Sequence, residues 1–180
     1  FGKSAAKRCA SIIKPKDKNK IITDEHVNPI IDKFEKIRNS NGKNSISKIR
    51  EEMQHTMQNY CPVYRSEEKM KEGKKIILAL LNKFKNIKIN DNTRVWNTEV
   101  IEALELENLL LQSLASIECA LNRKESRGAH SRIDFKDRND KTWLKHSMVW
   151  VNKEDVPKIG YRKVNLKTNT KEIKTIEPKA

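Results

Sequence analysis

From Trp96 to Arg123 an apolar residue recurs at almost every third or fourth position: Ala103, Leu106, Leu110, Leu114, Ile117 and Leu121, with Ile101, Leu104, Leu111 and Ala115 widening the stripe. That spacing predicts one long α-helix, most of whose circumference must be covered. Asn97 is suited to cap it, and Glu99 and Glu102 put negative charge in the first turn, where the helix dipole favours it. Trp96 is placed to staple onto Ile101. Arg123 and Lys124 follow at the C-terminal end, and Gly128 is expected to turn the chain.

A helix of this kind needs partners, and the preceding residues supply them. Residues 45–60 carry Ile46, Ile49, Met53, Met57 and Tyr60 at helical spacing behind Ser45 and stop before Pro62. Ser66 can cap a further helix with the stripe Met70, Gly73, Ile77, Leu80 and Phe84, the glycine admitting a close neighbour. Asn28 and Pro29 are expected to open an earlier helix as N-cap and first residue, with Ile30, Ile31, Phe34 and Ile37 on its apolar face and Asn41-Gly42 at its end. With short connections, these elements predict a mainly α chain built as an antiparallel bundle.

The flanks differ in texture. Residues 1–14 read as a helix with Phe1, Ala5, Cys9, Ile12 and Ile13 along one side, starting without a cap or an initiating Met, so Phe1 is expected to be a cut end. Residues 15–27 are a Lys-rich polar linker containing His26. Beyond the bundle, residues 142–151 and 159–166 are rich in β-branched and aromatic residues around a turn at 152–155, which predicts a small hairpin. Ile173 and Ile176 could add a short strand. The division expected is 1–14, linker 15–27, bundle 28–132 and β tail 133–180.

The formal charge is +14, yet lysines are spread through nearly every segment and interleaved with Glu, Asp and Asn. A nucleic-acid face would gather them into one block with aromatics, so a solvated surface is the expected reading. Cys9, Cys61 and Cys119 are odd in number and far apart, with no CxxC pair, and are expected to be structural thiols rather than metal ligands. No apolar run reaches the roughly 20 residues that cross a bilayer. His55 is expected on the outer side of a helix whose stripe holds Met53 and Met57.

Arg127, His130, Arg132 and Arg138 invite a catalytic assignment, since arginines clamp carboxylates and histidine moves protons. Asp134, Asp137 and Asp140 lie beside them, which favours a loop that docks onto another domain through Arg/Asp pairs. No histidine has a Ser, Cys or acid at triad spacing, and no Gly-rich phosphate cradle occurs.

The run Arg123-Lys124-Glu125-Ser126-Arg127-Gly128-Ala129-His130, with Trp143-Leu144-Lys145-His146, Trp96-Asn97-Thr98, the stretch 50–58 and the FGKSAAKR start, closely resembles the C-terminal part of succinate dehydrogenase flavoprotein subunits and their fumarate reductase relatives. The resemblance implies a flavin-domain helix at residues 1–14, a helical bundle and a β tail. It implies a subunit that binds FAD covalently through an N-terminal half and oxidises succinate to fumarate. Electrons would pass to an iron–sulfur subunit and on to quinone, with anchor subunits holding the assembly at the mitochondrial inner membrane, matrix side, or at the cytoplasmic face of a bacterial inner membrane.

The family's substrate and flavin residues lie in the first two-thirds of the subunit. No catalytic, flavin-binding or metal residue is therefore carried over, and the chain alone is expected to be inactive. Its expected partners are the FAD-bearing half and the iron–sulfur subunit, with no nucleic acid. The alternatives are a fumarate reductase piece or a basic helical binding module without catalysis.

Overall fold

The computed structural model describes residues 1–18, 20–152 and 154–167. The chain divides into two units, Phe1–Lys36 and Ile37–Ala180. The first holds α1 (Gly2–Ile12) and most of α2 (Asp24–Arg38). No residue of α1 is buried, Phe1 gives it no side-chain cap, and Ala5, Cys9 and Ile12 are all exposed.

α2 begins at Asp24, ahead of the expected Asn28-Pro29 start, and Pro29 lies inside it. Asp24 and Glu25 put two acidic groups in its first turn, a stronger start signal than the proline. His26, expected in a loop, is thus helical, and its Nδ1 lies 2.8 Å from the Thr23 hydroxyl. Ile30, Ile31 and Phe34 are exposed, and only Ile37 of the predicted face is buried.

In the second unit the core is a three-helix bundle of α3 (Ile46–Tyr60), α4 (Glu67–Phe84) and α5 (Thr98–Asn122). The predicted stripes meet inside it: Ile49, Met70, Ile77, Leu80, Ala103, Leu106, Leu110, Leu114 and Ile117 are almost wholly buried. Ser66 and Asn97 each accept a backbone N–H of the first turn, as their side chains predict, and Ser45 does the same for α3. Gly73 is needed where α4 crosses α3, because a Cβ there would lie 2.6 Å from the Tyr60 Cβ. Gly42 serves a different purpose from the helix stop expected of it. Residues 42–44 donate backbone N–H groups to Ile87 and Asn86, so close that a Cβ on Gly42 would meet the Asn86 carbonyl oxygen.

The Trp96 staple does not form. Trp96 has φ +56° and is 92% exposed, and Ile101 is exposed too. The Asn97 side chain, besides capping α5, donates to the carbonyls of Asp91 and Thr93, while Glu99 accepts the N–H groups of Asn90 and Asp91 at 2.7 and 2.8 Å. These bonds fold residues 90–95 over the helix start and turn Trp96 outward.

β1 (Tyr64–Arg65) pairs in parallel with β2 (Ser131–Arg132), which fixes the loop after α5 against the loop before α4. α6 (Asp140–Trp143) claims Thr142 and Trp143, expected in a strand, because Asn139 caps this turn through the Thr142 N–H. The hairpin is therefore β3 (Lys145–Val151) against β4 (Pro157–Lys163), with Val149 opposite Ile159. Its Tyr161 hydroxyl donates to the Asn122 side chain at the end of α5. The strand considered at Ile173 and Ile176 lies outside the described residues.

Candidate docking site at the end of the long helix

The last carbonyls of α5 have no partners within the helix and must find donors elsewhere. Arg132 provides them. Its Nη1 reaches the carbonyls of Ala120, Leu121 and Arg123 at 3.0 to 3.3 Å, placing a cation at the negative end of the helix dipole. The side chain is 1% exposed, its guanidinium lies over the Phe135 ring, and its Nε and Nη2 form a fork onto Asp134, both bonds 2.7 Å. The Arg132 hydrogen bonds hold the Asp134 carboxyl at about 2, well below the usual carboxylate range. Asp134 also accepts the Glu67 N–H at 2.9 Å, so one ion pair joins the end of α5 to the start of α4.

A second cluster centres on Glu125, whose side chain is fully buried. It accepts from Arg123, from Arg127 at 2.8 and 3.0 Å, and from the Asn139 N–H at 2.9 Å. Burial alone would push the carboxyl up, but the bonds from Arg127, Asn139 and Arg123 outweigh it and hold the group below its ordinary value. Arg123 continues to the Trp143 and Lys145 carbonyls and the Ser147 hydroxyl, and so ties α5 to the first strand of the hairpin. Asp140 takes the other side of Arg127 and the fork of Arg138, whose hydrogen bonds lower its carboxyl to about 2.

His130 is reached by the turn at Gly128, whose φ is +56°, with Arg127 and His130 exchanging backbone hydrogen bonds at 2.9 and 3.0 Å. Its Nε2 lies 3.0 Å from the Arg123 carbonyl, which can only accept, so this nitrogen carries the proton. Nδ1 accepts from Arg65 Nη1 at 2.9 Å. Burial lowers the imidazole pKa, and Arg65, Arg132 and Arg123 lower it further.

All four residues singled out in the sequence thus lie in one loop assembly, with Asp134 and Asp140 as partners, while Asp137 contributes its backbone carbonyl, to the Ser126 N–H. Two participants were missed. Glu125 sits in a run of charges that reads as solvated, and Arg65 lies 65 residues from His130. His55 is on the helix surface, as expected, beside Glu51. Burial raises the Cys61 and Cys119 thiols, as suits packing groups. Among the described residues no cluster could hold a metal ion, and no helix is long and apolar enough to cross a membrane.

FAD fits these residues poorly. Gly42, Gly73 and Gly160 are used for close packing against Asn86, Tyr60 and Trp150, and the N–H groups flanking the Gly128 turn are already paired. What remains is a folded hub of ion pairs with a basic cleft beside it. Such an arrangement can hold loops rigid and present cations to another surface.

The family model described as "Fumarate reductase flavoprotein C-term" matches residues 50–180. The succinate dehydrogenase flavoprotein subunit of Rickettsia bellii is 43% identical over 99% of this chain and 30% of its own length. The mitochondrial succinate dehydrogenase [ubiquinone] flavoprotein subunit of Oryza sativa is 40% identical over 100% of this chain and 28% of its own. Among solved structures, E. coli quinol fumarate reductase superposes with a TM-score of 0.85 at 28% identity, over 99% of this chain and 29% of that one. The chain therefore spans about three-tenths of the length of the curated relatives it matches.

Proposed function

The chain belongs to the succinate dehydrogenase and fumarate reductase flavoprotein family, in its C-terminal domain, and from that membership we propose that it is the C-terminal portion of a succinate dehydrogenase flavoprotein. Its own task is to scaffold that end of the subunit and to dock onto the FAD-bearing half through Arg127, His130, Arg132 and Arg138 and the loop they organise. In the complete subunit FAD, when bound, supplies the hydride acceptor for oxidation of succinate to fumarate, with electrons passing through an iron–sulfur subunit to quinone.

The observation that carries this reading is identity at or above 40% to succinate dehydrogenase flavoproteins along almost the entire chain. The exposed apolar side chains of Phe1, Ile12, Ile30 and Ile31 support it, since such surface on a water-exposed helix calls for a partner. Residues 1–14 are assigned to the flavin domain, 28–132 to the bundle and 133–180 to the tail. The site of action is the matrix side of the mitochondrial inner membrane or the cytoplasmic face of a bacterial one, reached through the anchor subunits. Alone, the chain is inactive.

Purification of the tagged chain from its native source, with mass spectrometry of accompanying chains and a visible spectrum, tests the reading. A flavinylated chain and an iron–sulfur subunit, with succinate oxidation by the assembly, are expected. Recovery of the chain alone, colourless, or with nucleic acid would overturn it.

A further inference from the structure

An open cleft of about 460 Å³ lies between the last turns of α5, the Arg127–His130 turn and the start of β3. It is lined by Arg65, Arg123, Arg127, His130, Lys145 and His146 together with small and apolar side chains, and no carboxylate among the described residues lines it. A wall of one sign with low-dielectric flanks concentrates positive potential within the cleft.

The cations of this end are unequally satisfied. Arg123 and Arg127 share the buried Glu125, Arg132 holds Asp134, and Arg138 holds Asp140. Arg65 differs: its Nε donates to the Pro62 carbonyl and its Nη1 to the His130 ring, neither of which carries negative charge. It is a half-buried guanidinium with an unused donor edge and no ion pair among the described residues. Among the described residues the Lys145 ammonium has only aromatic partners, lying 3.8 Å from the Tyr161 ring centroid and 4.9 Å from that of Trp143. Partly buried cations are costly to leave without a counter-charge, and planar recognition of a carboxylate is what a free guanidinium edge offers.

The geometry points to this cleft as the seat of an aspartate or glutamate side chain from the FAD-bearing half of the flavoprotein, held between Arg65 and Lys145. The inference rests on the proposed function and deepens it by naming the contact. A protein carboxylate is favoured over a small anion on two grounds. About seven-tenths of the relatives' length lies outside this chain, and Val63 and Tyr64, just before Arg65, are 67% and 70% exposed. An arginine beside exposed aromatic and aliphatic side chains is the usual composition of an interface anchor.

The test uses the assembly purified through the tagged chain. A carbodiimide, which joins amines to carboxylates only when they touch, is applied, and the cross-linked peptides are mapped by mass spectrometry. A link from Lys145 to an Asp or Glu of the flavinylated chain is expected. It should vanish in Lys145→Arg, which still assembles because the charge is kept. In Arg65→Gln the affinity between the two chains should fall at least about tenfold. Lys145 links confined to Glu172 or Glu177 of its own tail, links only to a third chain, or unchanged affinity in Arg65→Gln would overturn the inference and leave the proposed function standing. So would protection of Lys145 by added inorganic sulfate in the absence of a protein contact. Recovery of no flavinylated chain would remove both.

Discussion

Arg132 and Asp134, joined by two hydrogen bonds of 2.7 Å, satisfy the end of one helix and the start of another with a single ion pair. The guanidinium meets the carbonyls that α5 leaves over, and the carboxylate meets the first N–H of α4. Each charge sits at the helix terminus whose dipole it complements. With Arg132 entirely inside the protein, removing Asp134 would leave its guanidinium with the α5 carbonyls and the Glu67 carboxylate 3.9 Å away but without its nearest counter-charge.

Asp134→Ala is accordingly expected to destabilise the chain by about 1–3 kcal/mol, because it strips two charge-assisted hydrogen bonds from the buried Arg132 although Asp134 itself lies at the surface. Urea unfolding followed by circular dichroism reads this directly. An unchanged midpoint would show that Arg132 is satisfied by the α5 carbonyls alone.

Glu125→Gln keeps the shape of the side chain while removing the charge that three arginine bonds and one backbone bond converge on. A loss of about 2 kcal/mol or more is expected, within the cost of leaving buried charged groups under-satisfied. The same urea titration measures it. The sharper sign is faster hydrogen exchange at the Asn139 N–H, which now donates to Glu125.

Gly73→Ala forces a Cβ to within 2.6 Å of the Tyr60 Cβ, a contact that only separation of α3 and α4 relieves. Overpacking of this kind costs about 1–3 kcal/mol. Gly2→Ala, where nothing lies within 4 Å, is the matched control and should be neutral or slightly stabilising.

Acid should weaken the fold in two steps. Burial, followed by the neighbouring arginines, lowers the His130 pKa in the folded state, so the unfolded chain takes up the proton first. Its contribution is complete above about pH 6.5 and declines as pH falls below that. Asp134 and Asp140 have the second effect. With folded values of about 2, their contribution is present above the ordinary value of 3.8 and is lost as pH falls toward 2. Unfolding midpoints measured across this range should fall in both windows, and His130→Gln should flatten the upper one only.

Trp96 occupies the left-handed region at φ +56° while facing solvent, so it carries a backbone cost with no packing return within the chain. Trp96→Asn, a residue that tolerates this conformation, is expected to raise stability by about 0.5–1 kcal/mol. A drop instead would mean that the indole packs after all.

The bundle was legible because its signals are local. Apolar spacing over α3, α4 and α5 and the caps Ser66 and Asn97 each depend on a few residues of one segment. The Arg/His loop was legible as a cluster, and its pairing with Asp134 and Asp140 followed from nearness in sequence. Glu125 was not, because a carboxylate between lysine and serine in a charged run has every local mark of a solvated residue; only the return of Asn139 and Arg127 buries it. Arg65 joins His130 through a two-residue parallel pairing that no periodicity announces. Trp96 and the start of α2 were misjudged for one reason: a competing local bond set prevailed, the Asn97 and Glu99 contacts in the first case and the Asp24-Glu25 start in the second.

Surface loops ordinarily absorb added or deleted residues with little harm, and the hairpin turn near Asn152 should do so. Residues 123–140 are irregular in backbone and will look equally permissive in any alignment of lengths, yet their side chains terminate α5, start α4 and seat the hairpin. Their spacing is as constrained as that of the core. A single inserted residue between Glu125 and Asp134 would put these three connections out of register together, so length variation in this part of the chain should be as rare as a charge inside the bundle.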